Sequence, residues 1–394
     1  MKCDVLVIGA GIQGAGVAQA VTAAGHSVLI VEKNVPASGT SSRSSKLIHG
    51  GLRYLESGQI KLVYECLHER NLLLKNAPDL VQLKPFYIPL YQKTSRPSWK
   101  IHLGLSLYKV LSGFDSSGAF RKLKSQEWNS LDGLILDNLQ GVYQYWDAQT
   151  NDKQLTWAVL DSAQSLGAEL MYPAMFEGSV RQGKKWISQL EYNGEHRQIE
   201  SKVIVNAAGP WVNQVLQRID INLVKHEVDL VQGTHIILPE KIQQGIYYLE
   251  APSDQRAVFV MPWGENTMIG TTEKHFQGKP DDVSPSLAEI EYLLQVASHY
   301  FPRFEKYHTD SISSAFAGLR VLPGDGENAF SKARDTLIYE DKRQAPALFS
   351  LYGGKLTAYR ATAEQVMKNI KHYLPEQRPV ADTKSLALVS KSLK

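Results

Sequence analysis

Between Val5 and Glu32 the chain carries strand, glycine turn, helix, strand and acid in one order, and few folds accept that order. Val5, Leu6, Val7 and Ile8 form a short β-prone run. Gly9, Gly11 and Gly14 follow in GxGxxG spacing. Residues 12 to 24 are rich in Ala and read as a helix, which Gly25 closes. Ser27 to Val31 give a second strand, and Glu32 ends it 18 positions after Gly14. This is the opening βαβ unit of a parallel sheet, which places the chain in the α/β class.

Each part has a chemical task. Gly9 permits the tight turn out of the strand, Gly11 lets backbone approach a pyrophosphate, and Gly14 lets helix and sheet pack closely. The helix N-terminus offers unpaired N–H groups and a positive dipole end to phosphates. Glu32 can accept hydrogen bonds from ribose hydroxyls, and an acid there argues against a 2′-phosphate. The pattern therefore implies a dinucleotide; it does not by itself separate NAD from FAD.

A length of 394 residues exceeds one ordinary core and implies two or three domains. The net charge of +3 is too small to imply nucleic acid as a partner, but it permits a local basic site for an anion. Cys3 and Cys66 form no CxxC pair and read as packed thiols of a reduced protein, with no metal site. No apolar run reaches the length of a membrane span. The N-terminal apolar run leads straight into the glycine turn, so it reads as structure rather than a signal peptide, and the expected location is cytoplasmic.

The next segment is Gly39-Thr-Ser-Ser-Arg-Ser-Ser-Lys-Leu-Ile-His-Gly-Gly-Leu-Arg-Tyr-Leu-Glu56. Its hydroxyls, glycines and bases suit a loop that wraps a ligand, and its apolar residues argue against a solvated linker. From Val5 to Glu56 the sequence strongly resembles the FAD-dependent glycerol-3-phosphate dehydrogenases, within the wider D-amino-acid-oxidase-like flavoproteins.

Further along, Ile60 to Asn76, Asp152 to Leu166 and Ser286 to Tyr300 read as helices. Residues 97 to 112 also read as a helix, either buried between domains or lying on a membrane surface with Trp99, Tyr108, Lys100 and Lys109 as anchors. Ala168 to Tyr172, Lys185 to Tyr192 and Lys202 to Trp211 read as strands, the last ending in Ala-Ala-Gly-Pro-Trp. Short alternating runs between about 228 and 273 read as an antiparallel sheet. The expected architecture is a Rossmann-like FAD-binding domain (residues 1–80, 150–215 and 320–394) with an inserted antiparallel-sheet substrate domain (residues 81–149 and 216–319).

The resemblance implies FAD as cofactor. It places Gly9, Gly11, Gly14, Glu32, Lys33, Thr40, Ser41, Ser42, Lys46, Leu47, His49, Gly50, Ala208, Gly209, Gly353, Gly354, Lys355, Leu356 and Thr357 around it. Gly353 and Gly354 are expected just before a helix whose dipole faces the flavin. It assigns Arg53, Tyr54, Thr272, Arg320, Arg334 and Lys355 to a substrate pocket, and His235, Arg320 and Lys355 to catalysis. Arginine forks suit a phosphate, and His235 is expected to act as general base with a pKa near neutrality.

The implied reaction is oxidation of sn-glycerol 3-phosphate to dihydroxyacetone phosphate, with quinone as the electron acceptor and contact with the inner membrane face. Two alternatives stay open: a flavoenzyme of a 2-hydroxy acid or amino acid, and a non-catalytic flavin-binding subunit of a complex. The segment from Lys332 to Thr336 departs from the usual family string around Arg334. Family members usually continue into a further helical domain, which this sequence, ending at Lys394, is expected to lack.

Overall fold

The computed structural model describes residues 1–113, 116–220, 228–323, 336–341 and 345–389. Two sheets organise it. In the first, Ala347–Tyr352, Glu195–Asn206, Lys2–Ile8, Val28–Val31 and Glu169–Met171 run parallel, side by side in that order. Leu337–Glu340 adds an antiparallel edge, and the hairpin Ala174–Gln182 with Lys185–Tyr192 pairs antiparallel with the Glu195–Asn206 strand.

A parallel strand buried on both faces needs apolar residues at consecutive positions, because neighbouring side chains point to opposite faces. Val5, Leu6, Val7 and Ile8 satisfy this and are all buried. Val5 and Val7 pack with helices Ile12–Ala23, Asp152–Ser165 and Tyr359–Ile370, through Val17, Val21, Leu155, Val159 and Ala363. Leu6 and Ile8 pack on the opposite face with Phe176, Trp186 and Leu190 of the hairpin and with Val212 and Leu216. The helix Asp152–Ser165 starts where Asn151 caps it, its side chain accepting from the Gln154 N–H at 3.2 Å.

The second sheet has ten strands among the described residues. Its long strand Val228–Leu238 lies between Ser314–Pro323 and Asn266–Gly270, antiparallel to both. Helix Leu287–Tyr300 covers one face through Ile290, Leu293, Val296 and Ala297. Helices Ile60–Asn76 and Ser98–Leu111 cover part of the other through Val63, Leu67, Leu105 and Tyr108. The runs between 228 and 273 pair antiparallel with one another, as expected, and the sheet continues through a parallel pairing of Ile246–Glu250 with Val81–Tyr91. Leu47–Ile48, from the polar loop, also joins this sheet.

Helix Ser98–Leu111 departs from both sequence readings in part. Tyr108, expected as an interfacial anchor, is 1% exposed, and its hydroxyl donates to the Asp147 carboxylate at 2.7 Å. The opposite face is open, with Trp99, Leu103 and Val110 exposed. No helix among the described residues is long and apolar enough to cross a membrane.

Candidate active site

The two sheets share one large cavity of about 620 Å³. Gly9, Gly11 and Glu32 line it from the first sheet and its turn, Gly39 to Tyr54 contribute the loop, and Gly233, His235 and Arg320 come from the second sheet.

At the first-sheet end the glycine turn packs as its spacing requires. A Cβ on Gly14 would lie 1.9 Å from the Gly9 carbonyl oxygen, so no larger residue fits. Gly14 accordingly stands behind the cavity wall rather than in it. The Glu32 carboxylate accepts the Ala10 N–H at 2.9 Å and the Asn34 N–H at 3.0 Å, which fixes it at the rim with lone pairs to spare. Ser41 Oγ accepts the Ile12 N–H at 2.9 Å, tying the polar loop to the helix start. Gln13 Oε1 is buried without a hydrogen-bond partner among the described residues, and Gln13 lines the cavity. A buried acceptor without a donor is costly unless a ligand supplies one.

At the other end, strand alternation sorts the side chains. Gln232, Thr234 and Ile236 point toward helix Leu287–Tyr300; Gly233 and His235 point into the cavity. The His235 ring stacks on Phe316, with centroids 4.9 Å apart, and its Nε2 lies 3.0 Å from Ser45 Oγ. A Cβ on Gly270, directly across the ladder, would stand 2.1 Å from the ring, so glycine makes room for the imidazole. Arg320 Nη1 donates to Glu273 Oε1 at 2.8 Å. Arg256 Nη1 donates to the Glu273 carbonyl at 2.7 Å. Lys355 Nζ sits 4.5 Å from the centre of the Tyr54 ring. Arg53, Arg256, Arg320 and Lys355 all line this one cavity.

A glycine turn at a helix start, a rim carboxylate, a wrapping loop and an orphaned amide oxygen fit an extended dinucleotide. Comparison with known proteins identifies which. A family profile described as "FAD dependent oxidoreductase" (DAO) matches residues 4–360. The chain is 36% identical over 379 residues to D-erythritol 1-phosphate dehydrogenase of Brucella abortus, covering 95% of this chain and 74% of that protein. It is also 36% identical over 386 residues to glycerol-3-phosphate dehydrogenase of Pseudomonas aeruginosa, covering 97% and 74%. Among solved structures, the FAD complex of glycerol-3-phosphate dehydrogenase from Bacillus halodurans superposes with a TM-score of 0.78 at 26% identity, covering 98% of this chain and 68% of that one.

The chain belongs to the FAD-dependent oxidoreductase family.

FAD is therefore the cofactor of this oxidoreductase. Glu32, Lys33, Thr40, Ser41, Leu47, His49, Ala208, Gly209, Gly353, Gly354, Lys355, Leu356 and Thr357 all line the cavity, as do Arg53, Tyr54, His235 and Arg320.

Several expectations need correction. Thr272 does not face the cavity: its hydroxyl donates to Glu289 Oε1 at 2.6 Å and accepts the Thr234 N–H at 2.9 Å, while Thr271 lines the cavity instead. Lys46 turns its ammonium to Asp152 at 2.6 Å, and Ser42 and Gly50 also lie outside the lining. Gly50 is held at the back, its N–H donating to the Tyr108 hydroxyl at 2.8 Å. Helix Tyr359–Ile370 begins beyond the turn 356–358, so Gly353 and Gly354 do not cap it and its dipole starts farther from them than expected. Arg334 lies outside the described residues.

His235 is not near neutrality. Burial, with the charges of Lys46 and Arg320, pushes its pKa down to about 3. The Cys3 thiol, pushed up to about 12 chiefly by burial, and the buried Cys66 are packing residues, as expected.

Arg256 and Glu273 were missed by sequence reading. Arg256 sits in a polar turn that resembles any surface loop, and Glu273 follows a strand where a solvated acid is ordinary. Neither carries a local signal; only the chain's return brings them beside Arg320.

Proposed function

We propose that the enzyme oxidises the secondary alcohol of a small polyol phosphate, with sn-glycerol 3-phosphate as a substrate and dihydroxyacetone phosphate as the product. The observation that carries this reading is the convergence of Arg53, Arg256, Arg320 and Lys355, from four separate segments, on one cavity beside His235. A phosphate dianion requires several cationic donors, whereas a single carboxylate is met by one fork. The relatives named for glycerol 3-phosphate and erythritol 1-phosphate support the same substrate class. Residues 81–149 and 216–319 serve as the substrate-binding domain in this reading, while the remainder holds FAD and lends Arg53, Arg320 and Lys355 to the substrate.

Bound FAD supplies the two-electron acceptor for hydride from the alcohol carbon. The protein holds and charges the substrate. Arg320, Arg256 and Lys355 bind the phosphate and stabilise the developing alkoxide. His235 accepts the hydroxyl proton. Its neutral ring in the free enzyme is the form that can accept, and a dianion opposite Arg320 raises its basicity by offsetting the nearby positive charge. Electrons pass on to quinone, and the exposed Trp99, Leu103 and Val110 support docking at a membrane face.

The test is anaerobic. Purified holoenzyme shows the oxidised flavin band at about 450 nm; glycerol 3-phosphate should bleach it rapidly. Bleaching by erythritol 1-phosphate alone would move the assignment to the longer polyol. A band unmoved by either phosphate but bleached by a 2-hydroxy acid or amino acid would overturn the phosphate reading. A band that no donor bleaches would favour a non-catalytic flavin-binding subunit.

A further inference from the structure

Lys33, Trp211 and Asp281 meet at the rim of the cavity, beside Glu32. Lys33 follows the end of strand Val28–Val31, Trp211 follows the end of strand Glu195–Asn206, and Asp281 belongs to the connection leading into helix Leu287–Tyr300. Lys33 Nζ lies 2.8 Å from Asp281 Oδ1 and 4.1 Å from the centre of the Trp211 ring. Trp211 Nε1 donates to Asp281 Oδ2 at 2.9 Å. One carboxylate thus joins two segments of the nucleotide-binding sheet to the covering element of the other sheet. All three residues line the cavity.

Asp281 is held in place rather than dangling. Pro280 beside it is buried. Gln232 Nε2 donates to the Ser284 carbonyl at 2.9 Å, and Ser286 and Glu289 close a capping box at the helix start. The Trp211 ring is backed by the polar loop, for a Cβ on Gly39 would lie 3.2 Å from it. The carboxylate itself is held below the usual range, burial opposing and Lys33 and the Trp211 N–H prevailing, so it is charged at neutral pH.

We propose that Lys33, Trp211 and Asp281 form a latch that retains FAD by clasping the two sheets across the cavity rim. FAD departs only after this contact parts. The latch acts on cofactor release and not on the oxidation step, so its test does not depend on the substrate reading.

FAD release from holoenzyme is followed by flavin fluorescence after dilution into a flavin-scavenging protein, at low and high salt. The variants are Asp281→Asn, which removes the charge, and Trp211→Phe, which removes the N–H donor and leaves a smaller aromatic ring. Each should release FAD roughly fivefold faster, a modest effect because the ion pair is partly exposed. Wild type should release faster at high salt, and Asp281→Asn should lose that salt response. Restoration of slow release by Asp281→Glu would support a charge clasp. Release from both variants within about twofold of wild type, or an unchanged salt response in Asp281→Asn, would overturn the proposal. Melting of the FAD-stripped proteins separates the latch from general damage: equal apo-protein melting with faster FAD release supports it, and a parallel loss of apo-protein stability counts against it.

Discussion

Glu273 Oε1 lies 2.8 Å from Arg320 Nη1, and the same residue's carbonyl takes Arg256 Nη1 at 2.7 Å. One residue therefore orients two guanidinium groups inside a cavity read as an anion site. Removing its carboxylate takes away the acceptor that aims Arg320 Nη1, while an amide keeps an oxygen acceptor there; both substitutions remove the same negative charge. Glu273→Ala should raise KM for glycerol 3-phosphate by about tenfold, and Glu273→Gln by much less. Equal KM values in the two variants would show that orientation is not what Glu273 provides.

Arg256 is the cation that no sequence pattern flagged. Its replacement by Ala should raise KM by roughly ten- to a hundredfold with a smaller fall in kcat, the signature of lost charge-assisted binding. The check is steady-state kinetics over a range of salt, in which the variant should also show a weaker salt dependence of KM. An unchanged KM would remove Arg256 from the phosphate site.

Thr271 and Thr272 are neighbours with opposite tasks. The Thr272 hydroxyl, between Glu289 and the Thr234 N–H, is buried, so Thr272→Val deprives the Thr234 N–H of this acceptor and Glu289 of one of its hydroxyl donors. Burial opposes ionisation of Glu289, but the hydroxyls of Thr272, Ser286 and Thr234 outweigh it and hold the carboxyl below its usual range. Thr272→Val should cost about 1–3 kcal/mol in denaturant unfolding. Thr271→Val, at the cavity wall, should cost less stability and act on KM instead. The reverse ranking would place the wrong hydroxyl in the cavity.

His235 ties stability to acid. Its pKa in the folded chain is about 3, against an ordinary 6.5. Between those values the unfolded chain binds a proton at this residue that the folded chain refuses. The contribution of the neutral ring is therefore whole above pH 6.5 and is lost as pH falls toward 3. Wild type should lose more unfolding free energy than His235→Gln between about pH 7 and about pH 4. Parallel losses in the two proteins would show that the ring is protonated in the folded state.

The segment from Val5 to Glu32 determined its own structure: β-branched run, glycine spacing and Ala-rich helix are local instructions, and the strands and helix lie where those instructions place them. The loop from Gly39 to Glu56 determined the family resemblance, because that many glycines, hydroxyls and bases in order have few other uses. Periodicity likewise placed the helix Ile60–Asn76 and the strand Val228–Leu238. What only the tertiary structure decided was direction and company. A strand's pleat decides that His235 enters the cavity while Thr234 turns to Glu289, but which face is the cavity depends on where helix Leu287–Tyr300 packs. The charge state of His235 depends on burial and on Lys46 and Arg320, both remote in sequence. Arg256, Glu273 and Asp281 acquire their partners only when distant segments close on one another, and no local pattern encodes that closure, because its free energy comes from the burial of the two cores between them.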